Sequence, residues 1–232
     1  MIDYKKVSII IPVFNEEKTI QTVLSQVRDA STLGLEKEII LVDDYSTDGT
    51  KALLGQMKYP SIRIFYHETN LGKGAAIKTG LQNASGEIIL IQDADLEYDP
   101  SDFPALLEPF NNSATQVVYG YRTTPGYKKY YLGNKIFTAF VNFLFGSDLK
   151  DPYTGYKVIK RDLMRSFNLE NNGFEIEAEI TSKLLMKKIK IIQVPISYNP
   201  RTFEKGKKIR FFKDGLRGLW VFLKYRFFAK IL

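Results

Sequence analysis

Short unbroken apolar runs alternate with longer stretches in which apolar residues recur every three or four positions. Val7–Val13 reads VSIIIPV, Glu38–Asp43 reads EIILVD and Glu87–Gln92 reads EIILIQ. Runs this short, bounded by turn residues and rich in β-branched side chains, predict strands buried on both faces. Ile62–Tyr66 and Gln116–Gly120 predict two more. Ile20, Val23, Leu24 and Val27 share one helical face within 16–28, and Thr47-Asp48-Gly49-Thr50 opens a short helix reaching Met57. Gly72–Ala84 predicts a helix with a small, close-packing surface at Ala75, Ala76 and Gly80, and another helix is expected near 103–110. Strands alternating with helices predict an α/β fold, a mostly parallel twisted sheet with helices on both faces. After Tyr121 the rhythm changes. Helices are expected over 130–145 and 174–186, a strand over 189–194, and a helix again from Phe211.

The 232 residues suit one domain, 1–210, followed by an amphipathic helix over 211–232. Apolar residues at 44% and aromatics at 13% supply a core and argue against disorder. No repeat and no low-complexity segment interrupts the chain. The absence of cysteine excludes disulfides and thiolate metal sites, and the single histidine, His67, excludes a multi-histidine cluster. Met1–Lys6 leads straight into the first strand with no secretory pattern, and no apolar run approaches a membrane span. A cytoplasmic protein is therefore expected.

The net charge of +7 is unevenly spread, because ten Lys and Arg stand against only Glu204 and Asp214 after residue 200. The rest of the chain is close to neutral. Phe212, Leu216, Leu219, Trp220, Leu223 and Phe227 recur at helical spacing, with Lys213, Arg217 and Lys224 beside them and Arg210 a turn earlier. That pattern fits a helix lying on an anionic membrane surface, or a core helix with basic edges. Nucleic acid is not an expected partner: no recognition module is present.

Ligands of parallel α/β sheets bind beyond the carboxyl ends of the strands. Here those ends read Pro12-Val-Phe-Asn-Glu16, Asp43-Asp44 and Asp93-Ala94-Asp95-Leu-Glu97. Clustered carboxylates repel, and a divalent cation relieves that cost. Mg²⁺ and Mn²⁺ both favour carboxylate and phosphate oxygens, and Asp93 and Asp95 around the small Ala94 suit either ion. Asn70-Leu-Gly-Lys-Gly-Ala-Ala76 precedes a helix. Its glycines allow close backbone approach to a phosphate, and Lys73 can meet its charge or stand solvated. The spacing is not that of a Walker loop.

Four motifs, VSIIIPVFNEE (7–17), LVDDYSTDGT (41–50), NLGKGAAIKTG (70–80) and QDADLEYDP (92–100), together resemble family 2 glycosyltransferases of the GT-A fold. Within that family the chain is similar to dolichyl- and polyprenyl-phosphate sugar synthases over about residues 7–210. The resemblance implies that Pro12, Phe14 and Glu16 border the base and ribose of a nucleotide sugar, GDP-mannose or a UDP-hexose, with Val42 and Asp44 beside them. Asp93, Ala94 and Asp95 would meet the metal and diphosphate. Glu97 stands where mannosyl-phosphate synthases commonly have Gln, as a third metal-side ligand, and Phe14 where they often have Tyr. Arg122 would face the donor or acceptor phosphate. Asp151-Pro-Tyr-Thr-Gly-Tyr156 and Phe174-Glu-Ile-Glu-Ala-Glu179 match the family's acceptor-side motifs. Arg201 and Lys207 match its phosphate clamps.

That family inverts the anomeric carbon by direct displacement of a nucleoside diphosphate. A hydroxyl acceptor needs a base within hydrogen-bond reach, for which Asp151 and Glu177 are candidates. A lipid phosphate is already anionic and needs only cations, which the basic tail offers. A polyprenyl phosphate acceptor at the cytoplasmic membrane face is therefore expected. Transfer to a sugar hydroxyl of a surface glycan, or a silent nucleotide- or lipid-binding module, are the alternatives.

Overall fold

The computed structural model describes residues 4–57, 59–123, 128–201 and 211–228, with the side chains of 128–132 and 211–214 outside that description. Seven strands form one sheet: β1 Lys6–Val13, β2 Glu36–Asp43, β3 Ile62–Tyr66, β4 Ile88–Ile91, β5 Val117–Arg122, β6 Lys157–Lys160 and β7 Ile191–Ile196. The helices are α1 Ile20–Asp29, α2 Thr50–Gly55, α3 Lys73–Asn83, α4 Phe103–Leu107, α5 Lys128–Phe145, α6 Arg161–Arg165, α7 Ile176–Met186 and α8 Phe211–Phe227.

The spatial order is β3-β2-β1-β4-β6-β5-β7. β3, β2, β1 and β4 run parallel, β6 is antiparallel to both β4 and β5, and β5 pairs parallel with β7. The mostly parallel sheet is as expected. The sequence reading misses β6, a four-residue strand with lysine at both ends. Its alternation carries no strand signature, and pairing on both sides supplies what local propensity does not.

Alternate residues of β1 feed two cores. Val7, Ile9, Ile11 and Val13 pack with Ile20, Val23 and Val27 of α1 and with Phe103 and Leu107 of α4. Ile10 faces the other way, where Ile40, Ile89 and Ile91 meet Ala76 and Ile77 of α3 and Ile180 of α7. Both faces of these strands are dry, which is why their sequences lack polar alternation.

A third apolar cluster joins Val141 and Leu144 of α5, Ala178 of α7, and Val221, Phe222 and Tyr225 of α8. The C-terminal helix thus packs against the body of the protein. The residues it buries are not those of the expected stripe: Leu216, Trp220 and Phe227 stay exposed, as do Ile136 and Phe143 of α5. No helix among the described residues is long and apolar enough to cross a membrane.

The turn into α3 rests on Gly72, at φ +99° and ψ 161°. That region is open essentially to glycine alone, and a Cβ there would strike the Asn172 carbonyl. Gly72→Ala is expected to cost about 1–3 kcal/mol, read as a lower urea midpoint with unchanged m-value.

Candidate active site

The order of strands reverses across β1 and β4, and three loops and the end of β4 meet outside that point. Asn15, Tyr45 and Leu96 all sit there at positive φ, 50°, 63° and 61°. The loops are stitched together. Asn15 Oδ1 accepts the Thr47 N–H at 2.7 Å, the Glu16 N–H donates to Thr50 Oγ1 at 2.8 Å, and Thr19 Oγ1 donates to the Ala94 carbonyl at 2.8 Å.

Asp93 and Asp95 follow β4 directly. Lys73, the first residue of α3, places Nζ 2.6 Å from Asp93 Oδ1 and 3.0 Å from Glu177 Oε1. Glu177 Oε2 in turn accepts from Lys157 Nζ at 2.6 Å. Lys157 and Glu177 are almost wholly buried, and Lys157 also donates to the Thr154 carbonyl. On the other side, Arg201 grips Glu16 with two bonds of 3.0 Å and stands 3.3 Å from Asp95. Arg122 holds Asp151 in a two-bond fork, 2.6 and 2.9 Å, and lies over the Tyr198 ring at 5.0 Å.

The structure places the other expected site residues as follows. Val42 is wholly buried in the second core, so its side chain does not border the cleft. Asp44 is nearly buried; its oxygens accept the Leu71 and Gly72 N–H groups at 2.8 and 2.7 Å and face His67 Nδ1 at 2.7 Å. It therefore shapes the 70–74 loop. Glu97 accepts the Tyr198 hydroxyl at 2.9 Å and the Arg201 N–H at 2.9 Å, away from a three-carboxylate cage. Among the described residues no three His, Asp or Glu gather as an ion cage. Asp151 and Glu177, the candidate bases, are each tied to a cation, half-buried Arg122 and buried Lys157. Pro12 and Phe14 are half-buried, whereas Ala94 is buried. Lys207 lies outside the described residues.

Three contributors escaped the sequence reading. Lys157 looks like an ordinary strand-edge lysine, yet it neutralises Glu177 from inside the protein. Tyr98 accepts the Gly155 N–H at 3.0 Å, and Tyr198 backs Arg122. Gly155 is required by proximity: a Cβ would lie 2.6 Å from Asp93 Oδ2. The Thr-Gly pair was the signal for that contact. Of the three alternating glutamates of the 174–179 motif, Glu177 enters the cleft side. Glu179 is buried elsewhere, accepting from the Glu170 and Asn171 N–H groups and Tyr225.

The electrostatics favour a cation. Among the described residues, Glu16, Asp93, Asp95, Glu97, Asp151 and Glu177 outnumber Lys73, Arg122, Lys157 and Arg201 by two charges. Burial pushes the Asp95 carboxyl up to about 7, with Asp93 and Glu97 adding to the rise and Arg201 opposing it. Burial alone would also raise Glu177, but Lys157 and Lys73 hold it below its ordinary value. Burial works against the Arg122 charge, but Asp151 keeps it firmly protonated. Two carboxylates just past a strand end are a donor set that fits Mg²⁺ or Mn²⁺ completed by phosphate oxygens.

The sign of the Asp95 shift yields a prediction. A carboxyl raised in the folded state binds its proton more tightly there than in the unfolded chain. The contribution of Asp95 to metal-free stability should therefore fall as pH climbs from about 4 to about 7. Asp95→Asn removes that cost. Its metal-free Tm at pH 8 is expected to exceed the parent's by about 2–4 °C, about 1 kcal/mol, with the gap closing near pH 4 in a calorimetric series.

The fold and this acid-lined edge define a GT-A architecture. The chain superposes on glucosyl-3-phosphoglycerate synthase from Mycobacterium tuberculosis with a TM-score of 0.74 at 22% identity, covering 97% of this chain and 81% of that one. A second structure of that synthase, crystallised with Mn²⁺, UDP and glucosyl-3-phosphoglycerate, gives 0.70 at 24% identity, covering 96% and 80%. A profile of glycosyl transferase family 2 matches residues 8–167, and the chain belongs to that family.

Among relatives, it is 30% identical over 212 residues to a dolichol-phosphate mannosyltransferase of Pyrococcus furiosus, covering 87% of this chain and 59% of that protein. It is 27% identical over 216 residues to an undecaprenyl-phosphate mannosyltransferase of Micrococcus luteus, covering 87% of each. The chain thus spans well under two thirds of the length of the Pyrococcus relative.

Proposed function

We propose that the protein transfers a sugar from a nucleotide sugar to a polyprenyl phosphate, with inversion, using a divalent ion at Asp93 and Asp95. The reading rests on one observation above others: paired carboxylates just past the β4 end, with the cations Lys73 and Arg201 against them and Arg122 held nearby by Asp151. When bound, the ion would act as a Lewis acid and template on the leaving diphosphate.

The chain's own residues do the rest. Glu16 and Phe14 line the β1 side of the nucleotide site, next to the loop that Asp44 shapes. Arg122, planar and held by Asp151 against Tyr198, presents charge towards a phosphate without reorganising. The state of Asp151 and Glu177 favours the phosphate acceptor. Each has its oxygens engaged by a cation, Asp151 by Arg122 and Glu177 by Lys157 and Lys73, which leaves neither free to take a proton from a hydroxyl. An acceptor that is already ionised needs no base. The names of the Pyrococcus and Micrococcus relatives support the same acceptor class.

The test is partition of label from radioactive GDP-mannose and UDP-hexoses with Mn²⁺. Label extracted into organic solvent with polyprenyl phosphate supports the reading. Label carried only by saccharide acceptors replaces it with transfer to a hydroxyl. No transfer to either acceptor, with binding retained, favours the silent module.

The lipid acceptor places the protein at a membrane, at the cytoplasmic face in this reading. Phe143, Trp220 and Phe228 are largely exposed, and the rings of Trp220 and Phe228 lie 6.4 Å apart, which supports contact with an apolar surface. Arg217 and Arg226 are exposed on the same helix, α8. Trp220 is the single tryptophan, so its emission reports that surface. A blue shift on adding anionic vesicles, lost at high salt, is expected. An unchanged spectrum would remove the membrane from the reading.

A further inference from the structure

Lys73 occupies an unusual position. Its ammonium touches Asp93, one of the two proposed ion ligands, at 2.6 Å, and Glu177 at 3.0 Å. Its side chain is only 12% exposed. Lysine seldom sits this deep without fixed partners. Glu177 keeps a second cation whatever Lys73 does, because Lys157 is bonded to the opposite carboxylate oxygen at 2.6 Å. Lys73 is thus the movable member of a chain of four charges, Lys157–Glu177–Lys73–Asp93, whose far end is locked inside the protein. The backbone of Lys73 is held too, because the Gly72 N–H is clamped by Asp44 and the Ala75 N–H by the Asn172 carbonyl. Movement is therefore confined to the lysine side chain.

We infer that Lys73 is the internal counter-ion of Asp93 in the donor-free site, so that a divalent cation binds weakly alone and tightly only with a nucleoside diphosphate. The inference rests on the donor-site reading above. An ammonium and a divalent cation cannot both approach Asp93 closely without strong repulsion. An incoming diphosphate supplies the ammonium with a new anionic partner, and Asp93 is released to the ion. Coupling of this kind is reciprocal, so the ion strengthens diphosphate binding by the same factor. Lys73 is a positioning residue in this account, and it makes ion capture conditional on the donor.

The experiment is a Mn²⁺ titration of the full chain, followed by electron paramagnetic resonance of free Mn²⁺. It compares the parent with Lys73→Met, Lys73→Gln and Lys73→Arg, each with and without UDP or GDP. Without nucleotide, Lys73→Met and Lys73→Gln are expected to bind Mn²⁺ about tenfold more tightly than the parent. Lys73→Arg, which keeps the charge, should stay near the parent. Added nucleoside diphosphate should tighten Mn²⁺ binding more in the parent than in the neutral variants. A lysine with only a structural role would give weaker Mn²⁺ binding, or none, in every variant. Unchanged or weaker binding in both neutral variants overturns the inference. Failure of the parent to bind Mn²⁺ with either diphosphate overturns the donor-site reading instead, and the nucleotide-free comparison still decides the role of Lys73.

Discussion

Asp93→Ala is expected to lower sugar transfer by about a thousandfold or more while leaving the fold intact. A single preorganised group aimed at developing charge is worth about 10²–10³ in turnover, and here the loss would include half of the ion's protein ligands. The structure explains why stability should survive. Asp93 lies at the edge of the cleft with 18% exposure, and its ionic partner Lys73 keeps Glu177 when Asp93 is gone. The measurement is turnover at saturating donor and Mn²⁺ beside the circular dichroism spectrum and Tm. Activity within tenfold of the parent, with folding unchanged, would remove Asp93 from the chemistry.

Glu177→Ala should have the opposite profile, with its larger effect on stability. Removing it leaves Lys157, which has no exposure, with the Thr154 carbonyl and the Tyr119 ring but no bonded carboxylate. Breaking a buried pair from one side costs about 3–5 kcal/mol, equivalent to a Tm fall of about 10 °C in a domain of this size. Replacing both partners with apolar residues of similar volume, Glu177→Leu with Lys157→Met, should recover much of that loss, because no buried charge is left alone. A double variant as unstable as the single one would show that the cost comes from packing. Heat denaturation of the two variants side by side decides the matter.

The legible parts of the fold were those set by local pattern. The strands Val7–Val13, Glu38–Asp43 and Glu87–Gln92 are dry on both faces, so their apolar runs could be read without a partner in view. The helix 20–29 buries the four residues its spacing named, Ile20, Val23, Leu24 and Val27. The strand Lys157–Lys160 was not legible, because its partners β4 and β5 make it a strand. The tail is helical over Phe211–Phe227, but its apolar spacing did not say which side goes in, and packing chose Val221, Phe222 and Tyr225.

By itself the sequence determined the chemistry available: carboxylates at the ends of neighbouring parallel strands, glycines before α3, and a basic, aromatic C-terminal segment. These follow from residue type and period, which are local properties. The tertiary structure alone decided which charge faces which. Asp151 and Glu177 are paired with Arg122 and Lys157, Glu97 turns to Tyr198, and Lys73 rests on Asp93, across separations from 20 to 101 residues. Coulomb energy depends on distance and burial, and neither quantity is set until the chain has folded around the pair.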